Sequence, residues 1–235
     1  VTGLSVDQAK NITISGNQTT SATFAGRSTG GTSDVLTLDL KSATSTTNVT
    51  VAGGVFTGYE TVNINASTGT ADTDSTTVFA TAADTTAINL TGTADFAATL
   101  TSSSSKGVAF TSTSTGDVTV TGNTAKASTI TTGSGDDAVT MSTNLGSTYS
   151  TGTGDDTITS AVLGLVANGV DDHAYDGGAG TDTLAISDTA AVTLTDNHFT
   201  GGSNLEKITS VTTGNLSITT GGNFTSAFDT ATFTC

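Results

Sequence analysis

Apolar residues along this chain recur at every second position in short runs, as in Val35-Leu36-Thr37-Leu38-Asp39-Leu40, Val62-Asn63-Ile64, Ile88-Asn89-Leu90, Val118-Thr119-Val120 and Leu216-Ser217-Ile218. A period of two sends alternate side chains to opposite faces, so each run, bounded by Gly, Asn or Asp, predicts a short strand with one buried face. Helical periodicity is absent apart from the stretch from Ala161 to Asn168. Strands spaced this closely form either a sandwich or a solenoid. Sandwich strands usually carry bulkier cores and Pro in their turns, whereas this chain has no Pro, nine Phe and three Tyr. The pattern predicts an all-β chain: a right-handed parallel β-helix or β-roll solenoid with irregular sections, thin layers of Val, Ile and Leu inside and Thr ladders outside.

Composition sharpens that picture. Of 235 residues, 57 are Thr and 28 Gly, while only 34% are apolar and 11% charged. Low apolar content borders on disorder, but the dominant polar residue is β-branched and suits a pleated surface. The balance of 6 Lys+Arg against 21 Asp+Glu, net −15, repels nucleic acid and anionic membranes and makes a cation the natural partner. The longest apolar stretch, Ala161 to Val166, is interrupted by Gly164 and falls far short of a membrane span. Cys235 is the lone cysteine, so no internal disulfide forms, and it is read as incidental rather than catalytic. With no initial Met, no signal segment and a strand-like run at its end, the chain is expected to be a piece of something longer.

An internal similarity organises the sequence. Asp34-Val35-Leu36-Thr37-Leu38 and Asp182-Thr183-Leu184-Ala185-Ile186 each follow a Gly-Gly pair, Gly30-Gly31 and Gly177-Gly178. Glu60 and Glu206, the only glutamates, recur at matching distances: 182 − 34 = 148 and 206 − 60 = 146. The expected organisation is an irregular solenoid module over 1–125, a β-roll over 126–190 and the start of a second module over 191–235.

Three segments carry candidate chemistry. Gly177-Gly178-Ala179-Gly180-Thr181-Asp182-Thr183-Leu184-Ala185 fits the nonapeptide Gly-Gly-x-Gly-x-Asp-x-apolar-x at every position. Thr132-Gly133-Ser134-Gly135-Asp136-Asp137-Ala138-Val139-Thr140 and Thr151-Gly152-Thr153-Gly154-Asp155-Asp156-Thr157-Ile158-Thr159 lack only the first Gly. Glycines let the backbone turn tightly and present carbonyl oxygens, and the Asp adds a carboxylate. Together they give hard-oxygen donors of the kind calcium takes at about 2.3 to 2.6 Å. In a roll of two nine-residue half-turns, the 19-residue step from Gly133 to Gly152 puts Asp137 over Asp156 on one edge. Gly169-Val170-Asp171-Asp172 would continue that edge, and Gly178 would fall on the opposite one. From Ala127 to Glu206 there are ten Asp, one Glu and no Lys or Arg. Carboxylates stacked at strand spacing repel unless a cation joins them, so this stretch is expected to order with metal and loosen without it. Asp72, Asp74, Asp95, Asp117 and Asp229 read as polar turns; Asp34 stands open between turn and calcium site.

These nonapeptides resemble the repeats-in-toxin (RTX) sequences of proteins exported by type I secretion. The Thr-, Ala- and Gly-rich background, with Gly58-Tyr59-Glu60-Thr61-Val62-Asn63-Ile64 and the segment from 177 to 208, looks most like crystalline surface-layer (S-layer) proteins of the Caulobacter and Campylobacter type. The resemblance implies calcium-stabilised β-helices that assemble into a lattice on the bacterial exterior. It implies calcium contacts at Gly133, Gly135 and Asp137, at Gly152, Gly154 and Asp156, and at Gly178, Gly180 and Asp182, and Asp136 and Asp155 are candidate metal residues with them. Implied partners are calcium ions, other copies of the chain, and an outer-membrane glycolipid bound through a region outside this chain. A secreted adhesin or an extracellular filament has similar composition, and a calcium-binding tail of a hydrolase is a weaker alternative. No enzymatic role is expected: His173 reads as a solvated loop residue and His198 as a surface or strand-end residue, and neither belongs to a nucleophile or zinc motif.

Overall fold

The computed structural model describes residues 2–5, 9–10, 12–15, 23–26, 33–41, 49, 51–67, 75–81, 85–102, 107–123, 125–143, 146–165, 173–211 and 213–234. The chain is a β-solenoid whose strands alternate between two parallel sheets. Sheet 1 runs in spatial order through Thr2–Leu4, Thr23–Gly26, Val51–Thr57, Ser75–Thr81, Phe96–Ser102, Val118–Thr121, Ala138–Thr140, Thr157–Ser160, Thr183–Ile186, Leu205–Ser210 and Phe228–Thr234. Sheet 2 runs alongside through Ile12–Ile14, Val35–Leu40, Thr61–Ala66, Ala87–Gly92, Ala109–Ser112, Thr129–Thr131, Thr148–Ser150, Ala174–Asp176 and Gly202–Ser203. A small pair, Val192–Leu194 with Leu216–Ile218, stands apart from both. Sheet 1 passes residues 125 and 190 without a break.

The alternation read in the sequence builds this architecture directly. In sheet 2 the inward residues Leu36, Val62, Ile88, Phe110, Ile130, Tyr149 and Tyr175 stack coil on coil. In sheet 1, Val120, Val139, Ile158, Leu184 and Ile208 do the same. All of these are essentially inaccessible to solvent, so the core is one apolar layer held between two sheets. Like stacks on like because each coil lies in register over the last, and every buried side chain meets its counterparts about 4.8 Å away.

Coil length differs from the expected eighteen residues. Steps of 19 separate Ala138 from Thr119 and Thr157 from Ala138, but 26 separate Thr183 from Thr157. The longer coil accommodates the short helix Val162–Leu165 within the span where helical periodicity was seen; residues 166–172 lie outside the described residues. A single-turn 3-10 helix, Asp196–Phe199, and the helix Gly222–Ala227 pack together near the last coils. There Phe199, Phe224 and Phe228 form a cluster with ring centroids 4.9 to 5.8 Å apart, and the Asp196 carboxylate accepts the Asn223 and Phe224 N–H groups. Among the described residues no helix is long and apolar enough to cross a membrane.

Candidate metal-binding corner

The three Gly-x-Gly segments occupy one corner of the solenoid, where the chain leaves sheet 2 and enters sheet 1. Gly133, Gly135, Asp136 and Asp137 precede the strand Ala138–Thr140; Gly152, Gly154, Asp155 and Asp156 precede Thr157–Ser160; Gly178, Gly180 and Asp182 precede Thr183–Ile186. Bridges from Ser134 to Thr153 and from Thr153 to Ala179 hold the turns in register. Gly178, Gly180 and Asp182 therefore lie on the same edge as the other two turns, not the opposite one. The helical excursion after residue 160 lengthens the coil and returns the chain to the same corner, so counting residues in eighteens loses the phase.

Close approach of successive coils explains the glycines. Gly152 and Gly154 have φ of +98° and +135°, in the region L side chains rarely adopt, and a Cβ on either would collide with the carbonyl oxygen of Gly133 or Gly135 one coil below. The Gly133 carbonyl accepts the Thr153 N–H and the Gly152 carbonyl the Ala179 N–H, at 3.1 and 2.9 Å. These oxygens thus already serve the stack.

The carboxylates form two columns. In the inner one, Asp137 accepts the Val118 N–H at 2.7 Å, Asp156 the Asp137 N–H at 2.7 Å, Asp182 the Asp156 N–H at 2.8 Å and Glu206 the Asp182 N–H at 2.7 Å. Each carboxylate there reaches back to the coil before it. In the outer column the direction reverses: Asp95 accepts from Asp117, Asp117 from Asp136, Asp136 from Asp155 and Asp155 from Thr181, at 2.8 to 2.9 Å. Asp136 and Asp155 belong to this outer, exposed column, while Asp137 and Asp156 are buried. Asp95 and Asp117, read from the sequence as isolated turns, continue the outer column. Their signal was present in the chain: Asp117, like Asp136 and Asp155, follows a Gly and stands just ahead of a sheet 1 strand.

The inner column is electrostatically incomplete. Asp137, Asp156 and Asp182 are each 1% exposed, each gives one oxygen to a backbone N–H, and the Oδ2 of each is buried without a hydrogen-bond partner. Burial pushes Asp137 and Asp182 up to about 6, opposed by the Thr132 hydroxyl at Asp137 and by the backbone hydrogen bonds and helped by neighbouring carboxylates, and it raises Asp156 for the same leading reason against the Asp137 N–H and the Thr151 hydroxyl. The Thr132 and Thr151 hydroxyls lie near enough to Asp137 and Asp156 to ease their charge, but each also donates to a backbone carbonyl, Thr132 to that of Thr151 and Thr151 to that of Gly177, at 2.8 Å. An anionic oxygen shut away from water needs a proton or a cation. The donor chemistry suits calcium, since Asp137, Asp156 and Asp182 offer hard anionic oxygens and no Lys or Arg lies between residues 127 and 206 to compete. Among the described residues no three carboxylate, imidazole or thiol groups converge on one point. An ion here would draw its remaining ligands from backbone carbonyls and water.

The device recurs elsewhere in other chemical forms. Asp34 donates its N–H to Glu60 at 2.7 Å, as Asp182 does to Glu206, but the first pair leads into sheet 2 and the second into sheet 1. The similarity of the two segments therefore marks a shared corner design on opposite edges. Gly30, Gly31, Asp72, Asp74, Asp171, Asp172 and Cys235 lie outside the described residues, as does the Asp229 side chain. In later coils of the corner entering sheet 2 the acceptors are neutral: Ser128 N–H donates to Ser147 Oγ at 3.0 Å and Ser147 N–H to His173 Nδ1 at 3.1 Å. His173 is buried rather than solvated; with Nδ1 accepting, its Nε2–H donates to the Ser142 carbonyl at 3.0 Å. His198 is also buried, its Nδ1 accepting the Thr195 N–H at 2.9 Å inside the 3-10 turn. Comparison with known family models, characterised proteins and solved structures finds no match.

Proposed function

We propose that this chain is a structural segment of a calcium-dependent, self-assembling layer on a bacterial surface. The observation that carries the reading is the column of buried, half-partnered carboxylates at Asp137, Asp156 and Asp182. Such a column favours neither folding nor catalysis in its bare anionic form, and it becomes stabilising once a cation fills it. Calcium is scarce in cytosol and plentiful outside cells, so a solenoid completed by calcium stays loose before export and closes afterwards. The side chains here would hold the ion, and the ion would supply the positive charge that joins successive coils. Broad sheet faces rich in Thr and a narrow apolar core suit a building element rather than an enzyme. The test combines two measurements: far-UV circular dichroism and thermal melting with calcium and with chelator, then negative-stain electron microscopy of the calcium form. Calcium-dependent β structure and ordered sheets support the proposal. Identical melts in both conditions remove the calcium role, and dispersed monomers at high concentration remove the layer.

A further inference from the structure

The two segments that share a corner design differ at one buried position. Gly58 and Asn204 both take left-handed backbone, φ +75° and +52°, and each precedes a buried residue and then the glutamate that accepts an N–H from the coil before. Before Glu206 the buried residue is Leu205, a plain core side chain. Before Glu60 it is Tyr59, 3% exposed, whose hydroxyl is buried without a hydrogen-bond partner. A phenol oxygen shut away from water and left unpaired costs stability that a leucine would not. The phenol feels the acidic pair beside it: burial first, and then the charge of Asp34, raise Tyr59 above its usual range and keep it neutral. Asp34 and Glu60 are half-buried. Glu60 Oε2 lies 2.7 Å from the Asp34 backbone nitrogen, so the two carboxylates stand within a side chain's length of each other. Among the described residues nothing donates to the Asp34 carboxylate or to the second oxygen of Glu60.

We propose that Asp34, Glu60 and Tyr59 form a second divalent-cation site, at the corner entering sheet 2 and separate from the column of Asp137, Asp156 and Asp182. Carboxylates from two successive coils supply the negative charge, and the neutral phenol adds a third oxygen. The backbone carbonyls of Tyr59, Glu60 and Asp34 already accept from the Thr85 hydroxyl, the Ala87 N–H and the Glu60 N–H. Water therefore completes the shell, and the half-exposed carboxylates let it in. An ion here relieves the repulsion between the two acids and joins the coil of Val35–Leu40 to that of Thr61–Ala66. Six-residue strands hold those coils in register without it, so occupancy shows in binding rather than in melting.

The test is titration with terbium, a luminescent stand-in for calcium that emits when a tyrosine close to it absorbs light. Of the three tyrosines, Tyr59, Tyr149 and Tyr175, only Tyr59 belongs to this corner. Wild type is compared with Tyr59→Phe, with Asp34→Asn plus Glu60→Gln, in which the amide oxygen still accepts the Asp34 N–H, and with Asp137→Asn plus Asp156→Asn. Circular dichroism establishes that each is folded. One component of the emission is expected to vanish both in Tyr59→Phe and in Asp34→Asn plus Glu60→Gln, and to persist in Asp137→Asn plus Asp156→Asn. Calcium should displace that component in wild type, and Glu60→Gln alone should weaken the binding roughly tenfold or more. Emission unchanged by Tyr59→Phe, or a Tyr59-dependent component that survives Asp34→Asn plus Glu60→Gln, overturns the site. Loss of that component in Asp137→Asn plus Asp156→Asn also overturns it, by assigning the ion to the other corner. The calcium role of the inner column stands or falls separately, on its own melts.

Discussion

At Asp137 the chain spends one carboxylate oxygen on a neighbouring backbone N–H and leaves the other buried with no partner. The same holds at Asp156 and Asp182, so substitution separates the two roles. In Asp137→Asn with Asp156→Asn the amide oxygen still accepts the N–H, but the anionic ligand is gone. The calcium-induced rise in melting temperature should shrink strongly in this variant, while the melting temperature in chelator at neutral pH should rise, because the buried anionic charge is gone. Asp136→Asn with Asp155→Asn, in the exposed column, should leave most of the calcium effect in place. Differential scanning calorimetry with calcium and with chelator checks both. Proton linkage gives a second expectation. Asp137 and Asp182 titrate near 6 in the folded chain, above their ordinary value near 4. Between those values the folded state binds more protons than the unfolded one, so metal-free stability should fall as pH rises from about 4 to about 6 and level off above. Calcium should oppose that fall, because it replaces the proton. Urea midpoints across this range, with and without chelator, measure it; metal-free stability that rises over the interval would contradict the burial of these groups.

For the corner as an element, backbone clearance matters as much as charge. Gly154→Ala places a methyl where φ is +135° and the Gly135 carbonyl is already in contact, and Gly152→Ala meets the Gly133 carbonyl. Each should cost about 2 kcal/mol or more and lower the urea midpoint with calcium present or absent, because the coils cannot close. Gly222→Ala is the control: nothing lies near its added methyl and it opens a helix, so stability should hold or rise by up to about 1 kcal/mol. Much of this element was legible in the sequence. The alternation gave the strands, and the 19-residue step aligned Asp137 with Asp156 because nothing interrupts the coil between them. The step to Asp182 was misplaced because the inserted helix at Val162–Leu165 changes coil length without changing the corner. Asp95 and Asp117 were not grouped with the others because the full glycine pattern is missing around them, and a hydrogen-bonded column needs only an Asp at each coil, not the motif. His173 was read as solvated from its acidic neighbours in sequence, yet its burial is decided by Ser147 and Ser142 in adjacent coils. One-dimensional reading recovers what repeats along the chain and misses what is set by stacking across it.

Among the described residues each strand of the two large sheets pairs only with strands of the coils on either side, so stability is distributed along the axis rather than shared through one globular core. The coils containing Val35–Leu40, Thr61–Ala66 and Ala87–Gly92 are joined by wide strands and by side-chain bonds such as Asn89 Nδ2–H to Asn63 Oδ1 at 2.9 Å and Asn65 Nδ2–H to Asp39 Oδ1 at 3.1 Å. From Ala138 to Ile186 the sheet 1 strands shorten to three or four residues and the corner carries the buried acidic column. Cohesion there depends more heavily on what neutralises the column. Removing calcium should therefore open the molecule unevenly. In chelator at neutral pH, amide hydrogen exchange should accelerate first at Val118, Asp137, Asp156 and Asp182, whose N–H groups belong to that column, while Leu36, Val62 and Ile88 keep their protection. With calcium restored, protection in the two regions should converge. Exchange that accelerates uniformly on chelation would mean that the coils unfold as one cooperative block, and that the acidic corner governs the stability of the whole rod rather than its own section.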